Sequence, residues 1–412
     1  FLGVPIAMSL GLSAMGGILF LGGGSTVTIA QRMFEGMNSF ALLAIPLYTF
    51  AGFTMSKGGI SKRLMDFCYS IVGHIYGGLA HVNVLSSMIF AGISGSAVAD
   101  TAGVSGMFMP EMIRKGYSKN FTVAVTAISS TIGIIIPPSI PMVVIAGICG
   151  ISTGKLFLGG IIPGILCGLA QMIVSYFLAK KEGVPKEPGH FTIGPVLHGL
   201  WESWPALLMP IIIVGTITMG IVSPTEAGVI AVVYGLFAGG IIYRELKWED
   251  IKFAFAETVR TSGRIFIVIG AAKLYTVMLT TAGFDKWVAK TMLGFSTNPT
   301  VILIMILLIF FIVTMFMESI ATLTLFMPIL YPIALGVGID PIVLSVLITV
   351  VIGIGLVTPP VGMCIYVACD LMDTTVGEVF PTLVPFIAAT FVCIALMVAF
   401  PQLILLPTYL MA

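Results

Sequence analysis

The densest cluster of small and polar residues inside an apolar region is SGSAVADTAG, Ser94–Gly103. Irregular backbone at membrane depth is tolerated only where protein or water surrounds it. A helix broken there leaves free carbonyls at one end, which suit an alkali cation, and free amides at the other, which suit a carboxylate. Ser94 and Ser96 flank Gly95 and add hydroxyl oxygens, and Asp100 is the only carboxylate between Asp66 and Glu111. Small residues can also serve plain helix packing. An acid at this depth is expensive, and that favours function.

Two proline pairs supply the second signal. Pro137-Pro138 follows STIGIII and Pro359-Pro360 follows GIGLVT. Proline removes an amide donor and clashes with the preceding turn, so a helix must break at each pair. The breaks free carbonyls around Gly133, Ile135 and Ile136, and around Gly355, Val357 and Thr358. A third cluster, Glu318, Ser319 and Thr322, holds a lone acid between uncharged runs at 291–317 and 319–339. It reads either as a binding group or as a hairpin tip that reaches water. Hard oxygen ligands without soft ones indicate an alkali cation or a proton, not a transition metal. No GxxxxGK[ST] phosphate loop is found, so ATP is not the energy source within this chain.

These groups must be held by membrane helices. Of 412 residues, 58% are hydrophobic and only 9% charged, with a mean hydropathy of +1.12. A soluble domain usually carries about 25% charged residues, so lipid is the solvent here. The length allows about ten crossings of about 20 residues each. Alternation of the barrel kind is absent, so the crossings are helices. A net charge of +1 gives no footing for nucleic acid. Six cysteines without a CxxC pair read as small buried hydrophobes, and four scattered histidines suggest no metal centre. The chain opens at Phe1 inside an apolar segment without a basic stretch or cleavage site, which reads as a shortened first helix and not as a signal peptide.

The chain carries an internal repeat. Ile-Pro-Pro at 136–138 answers Thr-Pro-Pro at 358–360, with Pro163 and Pro385 each 26 residues beyond the first proline of the pair. Gly133 answers Gly355, Met109-Pro110 answers Met327-Pro328, and Leu-Tyr-Thr occurs at both 47–49 and 274–276. Five matches in one order make a repeat. The expected halves are 1–179 and 204–412, joined by a polar linker at 180–203 that includes Lys180, Lys181, Glu182, Pro185, Lys186, Glu187 and Pro188. Each half carries a re-entrant hairpin, 82–113 and 299–335, and a broken helix, 133–138 and 355–360. Two re-entrant hairpins give each half an odd number of crossings, which inverts the repeats.

With the mouth of the first hairpin in the cytoplasm, 13 of the 19 Lys and Arg fall inside, as the positive-inside rule expects. Arg32, Lys155, Lys286 and Lys290 fall outside, and Arg264 and Lys273 lie within or beside a span. The segments 28–38 and 246–258 mix charge with apolar spacing and read as interfacial helices.

Four stretches, Phe34–Gly52, Gly92–Met112, Ile135–Gly147 and Gly220–Val232, together with similarity along essentially the whole chain, resemble the large membrane subunit of tripartite ATP-independent periplasmic (TRAP) transporters. The resemblance implies a multi-pass protein of the bacterial inner membrane that imports an organic carboxylate, such as sialic acid, a C4-dicarboxylate or another sugar acid, driven by Na⁺. It implies an elevator in which a transport domain carrying both hairpins slides against a scaffold. It also implies a small four-helix membrane subunit, as a separate chain or a trimmed fusion, and a soluble periplasmic substrate-binding protein. On that footing one Na⁺ site is expected at Ser94, Gly95, Asp100, Gly133, Ile135 and Ile136. A second is expected at Glu318, Ser319, Thr322, Gly355, Val357 and Thr358. The substrate carboxylate is expected between the tips, near Ser94, Ser96, Pro138, Glu318 and Pro360. No other cofactor and no catalytic residue is expected. An ion channel is the first rival reading and an intramembrane hydrolase the second, although no histidine accompanies Ser94, Ser96 and Asp100.

Overall fold

The computed structural model describes residues 4–20, 26–184 and 192–410, and every regular element among them is helical. The linker residues Pro185, Lys186, Glu187 and Pro188 lie outside the described residues.

In chain order the first helices are α1 (Ile6–Phe20), α2 (Thr26–Met37), α3 (Ala44–Lys57) and α4 (Ile60–Val72). Then come α5 (Gly78–Ser94), α6 (Ala97–Arg114), α7 (Lys119–Ser130), α8 (Ile140–Cys149) and α9 (Thr153–Lys181). The second half holds α10 (Ile193–Thr218), α11 (Pro224–Phe237), α12 (Trp248–Thr281), α13 (Phe284–Phe295) and α14 (Pro299–Thr314). It ends with α15 (Ser319–Gly336), α16 (Pro341–Gly355), α17 (Met363–Asp370) and α18 (Val376–Ala399).

Seven helices among the described residues are long and apolar enough to cross a membrane. Five shorter apolar helices of 10–17 residues accompany them. Among the short ones, α5 and α14 are hairpin arms and α8 and α16 are arms of broken helices, for which a full crossing is not required. The sequence count of about ten crossings treats such arms as parts of spans.

Each segment expected as a hairpin folds as two helices joined by a short turn. The first is α5 and α6 around Gly95 and Ser96, and α6 ends at the expected Arg114. Its turn is tighter than the expected Ser94–Asp100 tip, because Ala97 already starts the ascending helix and Asp100 lies in that helix's first turn. The second hairpin is α14 and α15, turning at 315–318. After each hairpin comes a helix that stops at a proline pair: α7 with a 3-10 turn at Thr131–Ile134, then α8; and α16, then α17. Both Pro137-Pro138 and Pro359-Pro360 peptides are cis.

One expected interfacial helix is corrected. Residues 28–38 do fall largely on a separate 12-residue helix, α2. Residues 246–258 do not: they form the start of α12, one continuous helix of 34 residues. At 1.5 Å per residue it runs roughly 50 Å, well beyond a hydrocarbon core of about 30 Å. No proline lies between Trp248 and Thr281, so nothing stops the helix between its polar and apolar parts.

The helices pack in two sets that touch each other through α4–α5, α12–α15 and α3–α5. α3 packs on α11 and α12, α4 on α10, and α12 also on α1 and α2. α5 and α7 pack on each other and on α6 and α9, and α14–α18 join them through α7–α18, α9–α18 and α8–α15. The start of α12 is clamped to the end of α3 and the start of α4. Arg63 pairs with Glu245 at 2.7 Å and stacks over Tyr243 at 4.2 Å, and Lys57 lies over Phe253 at 4.9 Å. Several basic residues expected on one side of the membrane thus share one end of the molecule.

Candidate functional site

The first hairpin turns on Gly95, whose φ of +63° is in the left-handed region that favours glycine. A Cβ there would stand 2.7 Å from the Pro138 carbonyl. The close approach is sealed by the Ile140 N–H, which donates to the Gly95 carbonyl at 3.2 Å. Tip and break are therefore one unit. Ser96 caps α6 by accepting from the Ala99 N–H at 3.4 Å, and Ser139 caps α8 by accepting from the Met142 N–H at 3.3 Å. The Ser139 hydroxyl in turn donates to the Ile134 carbonyl at 2.5 Å.

Gly133 lies against this unit from the other side. A Cβ on it would meet Asp100 Cβ and the Ser96 carbonyl, each at 3.6 Å. Ser94, Gly95, Asp100, Gly133 and Pro138 are thus gathered as the sequence suggested. Ile135 and Ile136 are not aimed the same way. A Cβ at Gly160 would stand 2.3 Å from the Ile135 carbonyl, and one at Gly164 would stand 2.2 Å from the Ile136 side chain, so both residues lie against α9. The carbonyl that meets the tip directly belongs to Pro138.

Asp100 is fully buried, and neither of its carboxylate oxygens has a hydrogen-bond partner. Ser87 of α5 and Ser130 of α7 lie beside it without closing to hydrogen-bond geometry, and Cys364 of α17 lies near both Thr101 and Asp100. A bare buried carboxylate costs several kcal/mol and is found paired or beside a metal. Four acceptor oxygens around one site fit a hard alkali cation.

The second tip is chemically different. Glu318 caps α15: one carboxylate oxygen accepts from the Ile320 N–H at 2.9 Å and the Ala321 N–H at 3.2 Å, and the other from the Ser319 hydroxyl at 2.9 Å. The Thr322 hydroxyl donates to the Glu318 carbonyl at 3.1 Å. Tip and break are again joined, here by the Val361 N–H donating to the Met315 carbonyl at 2.9 Å. The Thr358 hydroxyl donates to the Ile354 carbonyl at 2.7 Å, leaving its lone pairs free, and Gly355 lies against the Thr314 side chain. Pro360 is exposed whereas Pro138 is buried, so the second break has an open edge and the first does not.

The two units interlock. α8, beyond the first break, packs on α15 of the second hairpin, and α17, beyond the second break, packs on α6 of the first. Gly353 of α16 lies against Thr131. No basic residue is expected near the tips, and Lys273, the first basic candidate, is exposed on α12 with its Cβ beside Gly36 of α2.

Sequence reasoning missed the polar groups behind the first tip. Asn83 and Ser87 are one helical turn apart on α5, as are Thr122, Thr126 and Ser130 on α7, and all are buried. That i, i+4 spacing was available in the sequence.

Over residues 1–403 the chain matches the family described as "Tripartite ATP-independent periplasmic transporter, DctM component". It is 37% identical over 386 residues to the isethionate TRAP transporter permease protein DctMQ of Oleidesulfovibrio alaskensis, spanning 94% of this chain but only 61% of that relative. It is 35% identical over 406 residues to the sialic acid TRAP transporter large permease protein SiaM of Vibrio cholerae, spanning 98% and 95% of the two chains. It is 35% identical over 403 residues to the C4-dicarboxylate TRAP transporter large permease protein DctM of Pseudomonas aeruginosa, spanning 98% and 94%. Among solved structures, the YdaH transporter of Alcanivorax borkumensis aligns with a TM-score of 0.61 at 13% identity, over 90% of this chain and 86% of that one. The antimetabolite efflux pump MtrF of Neisseria gonorrhoeae aligns with a TM-score of 0.59 at 13% identity, over 96% and 93%. Identity that low speaks to the fold alone.

Proposed function

Because the chain belongs to the tripartite ATP-independent periplasmic transporter family as a DctM-type large permease, we propose that it carries a small organic anion inward in exchange for the energy of a Na⁺ gradient. It is a multi-pass inner-membrane permease and not an enzyme. The substrate class follows from relatives named for sialic acid, C4-dicarboxylates and isethionate: small acids bearing a carboxylate or sulfonate.

The observation that carries the Na⁺ reading is the fully buried Asp100 carboxylate with two unpartnered oxygens, set behind a hairpin tip that is bonded to a broken helix. The first Na⁺ is placed at Ser94, Gly95 and Gly133, with Asp100 behind it supplying negative charge. The second is placed between Ser319, Thr322 and the break at Gly355, Val357 and Thr358, with Glu318 holding the tip's shape.

The substrate anion is placed near Ser96 and the exposed edge at Pro360. Glu318 already occupies the amides that open α15, so an anion finds no free donors there. α6 retains free first-turn amides behind the Ser96 cap. α5–α9 and α14–α18 form the moving unit of an elevator, and α3, α4 and α10–α12 its scaffold. The inverted arrangement, with the first hairpin's mouth in the cytoplasm, is supported by the basic end that gathers Lys57, Arg63 and Lys252. A small membrane subunit and a periplasmic binding protein complete the system.

Reconstituted with both partners, uptake of binding-protein-delivered sialic acid, succinate or isethionate is expected to rise with more than the first power of Na⁺ concentration. A clean first-order dependence would remove one of the two sites.

A further inference from the structure

The carboxylate of Asp100 faces oxygens whose hydrogens are all committed elsewhere. The Ser130 hydroxyl donates to the Thr126 carbonyl at 2.7 Å. The Ser129 hydroxyl donates to Asn83 Oδ1 at 3.1 Å or to the Thr126 carbonyl at 3.2 Å, so it can only accept from Ser87, whose hydroxyl reaches it at 3.2 Å. Asn83 Nδ2 donates to Thr126 Oγ1 at 2.7 Å, and that hydroxyl donates to the Thr122 carbonyl at 2.8 Å. Every donor in this ladder points along α5 and α7, away from Asp100.

What remains beside the carboxylate is two hydroxyl oxygens presenting lone pairs. Together with Oδ1 and Oδ2 they make four acceptor oxygens, fully enclosed by protein. The other faces add no positive charge. Thr101 donates its hydroxyl to the Ala97 carbonyl at 2.9 Å, Cys364 of α17 is a neutral thiol, and Gly133 brings no side chain. Arg114 is at the far end of α6, paired with Glu111, and Lys119 is at the far end of α7 from Ser130. Lone pairs facing a carboxylate repel it, so the arrangement calls for a positive charge between them, which a cation supplies.

We propose that Asp100, Ser87 and Ser130 bind a Na⁺ of their own, separate from the cation at the first hairpin tip. Ser87 lies seven residues before Ser94 on one helix, or about 10 Å along its axis, too far for one ion to touch both. A single carboxylate suits a monovalent ion better than a divalent one, which would leave more net positive charge in an apolar core. The pocket joins α5, α6 and α7, so its occupancy braces the hairpin against the broken helix. The inference rests on the reading that Na⁺ is the coupling ion and adds a third ion to the two at the tips.

The test is equilibrium binding of ²²Na⁺ to the purified membrane complex, with choline replacing other cations. Three Na⁺ per complex are expected for the wild type and two for Ser87→Ala/Ser130→Ala. If the double variant does not give a monodisperse complex, Ser87→Ala alone, which leaves Asp100 and the tip unchanged, is expected to bind two. A wild-type count of two, or three in the wild type and in the variant alike, overturns the separate pocket while leaving Na⁺ coupling in place. No saturable Na⁺ binding in the wild type overturns the coupling reading itself.

Discussion

Asp100→Asn is expected to raise the Na⁺ concentration for half-maximal uptake by roughly tenfold or more, because interactions with a charged group are worth about 1.5–3 kcal/mol. The same substitution is expected to leave the thermal stability of the purified protein unchanged or higher. The carboxylate stands among acceptors alone, with Ser87 and Ser130 turned to present lone pairs. An amide of the same shape brings two hydrogens to those lone pairs and removes the uncompensated charge. Function and stability should therefore move in opposite directions, which a merely structural acid would not produce. The measurements are Na⁺ titration of uptake and a thermal melt in Na⁺-free buffer. Unchanged Na⁺ dependence in a folded variant would take Asp100 out of cation binding.

The second large effect concerns the substrate. An anion placed near Ser96 sits at the start of α6, which also carries Asp100 in its first turn. Helix amides attract the anion, but the bare carboxylate repels it. Bound Na⁺ cancels that repulsion, so substrate and Na⁺ should bind cooperatively, by about 1–3 kcal/mol or roughly 5- to 150-fold in affinity. Lys273 offers no alternative in this geometry, since it is exposed and lies beside Gly36 on α2. The check is substrate affinity of the membrane complex in Na⁺ and in choline, using the acid its binding protein delivers. Equal affinity in both would mean that Na⁺ takes no part in forming the anion site.

Much of the fold was legible because membrane helices announce their interruptions. Pro137-Pro138 and Pro359-Pro360 marked both breaks, and the small polar run at Ser94–Asp100 and the lone Glu318 marked both turns. Length was harder to read. Glu249, Asp250 and Lys252 suggested a separate surface helix, yet they only show where α12 leaves the apolar layer, not where it ends. Carbonyl direction was not legible at all. Ile135 and Pro138 both carry carbonyls near the break, and only the fold turns one toward Gly160 and the other toward Gly95. The chemical difference between the two acids was not legible either: Asp100 is orphaned inside the first unit, and Glu318 caps its own helix. Glutamate is not among the preferred capping residues, so sequence gave no hint of that role. The ladder of Asn83, Ser87, Thr126, Ser129 and Ser130 was overlooked because hydroxyls in an apolar helix usually bond within their own turn.

The most direct test of Na⁺-driven uptake uses proteoliposomes containing this chain and the small subunit, loaded with K⁺ and held at zero voltage with valinomycin and equal K⁺ on both sides, without ATP. Binding protein carrying labelled sialic acid, succinate or isethionate is added outside, and internal label is followed after Na⁺ or choline is supplied. Na⁺-driven transport predicts accumulation above the external free concentration with Na⁺ outside, decaying as the Na⁺ gradient runs down, and no accumulation with choline. Equal accumulation in choline, or accumulation that follows only a pH gradient, would contradict Na⁺ as the driving ion.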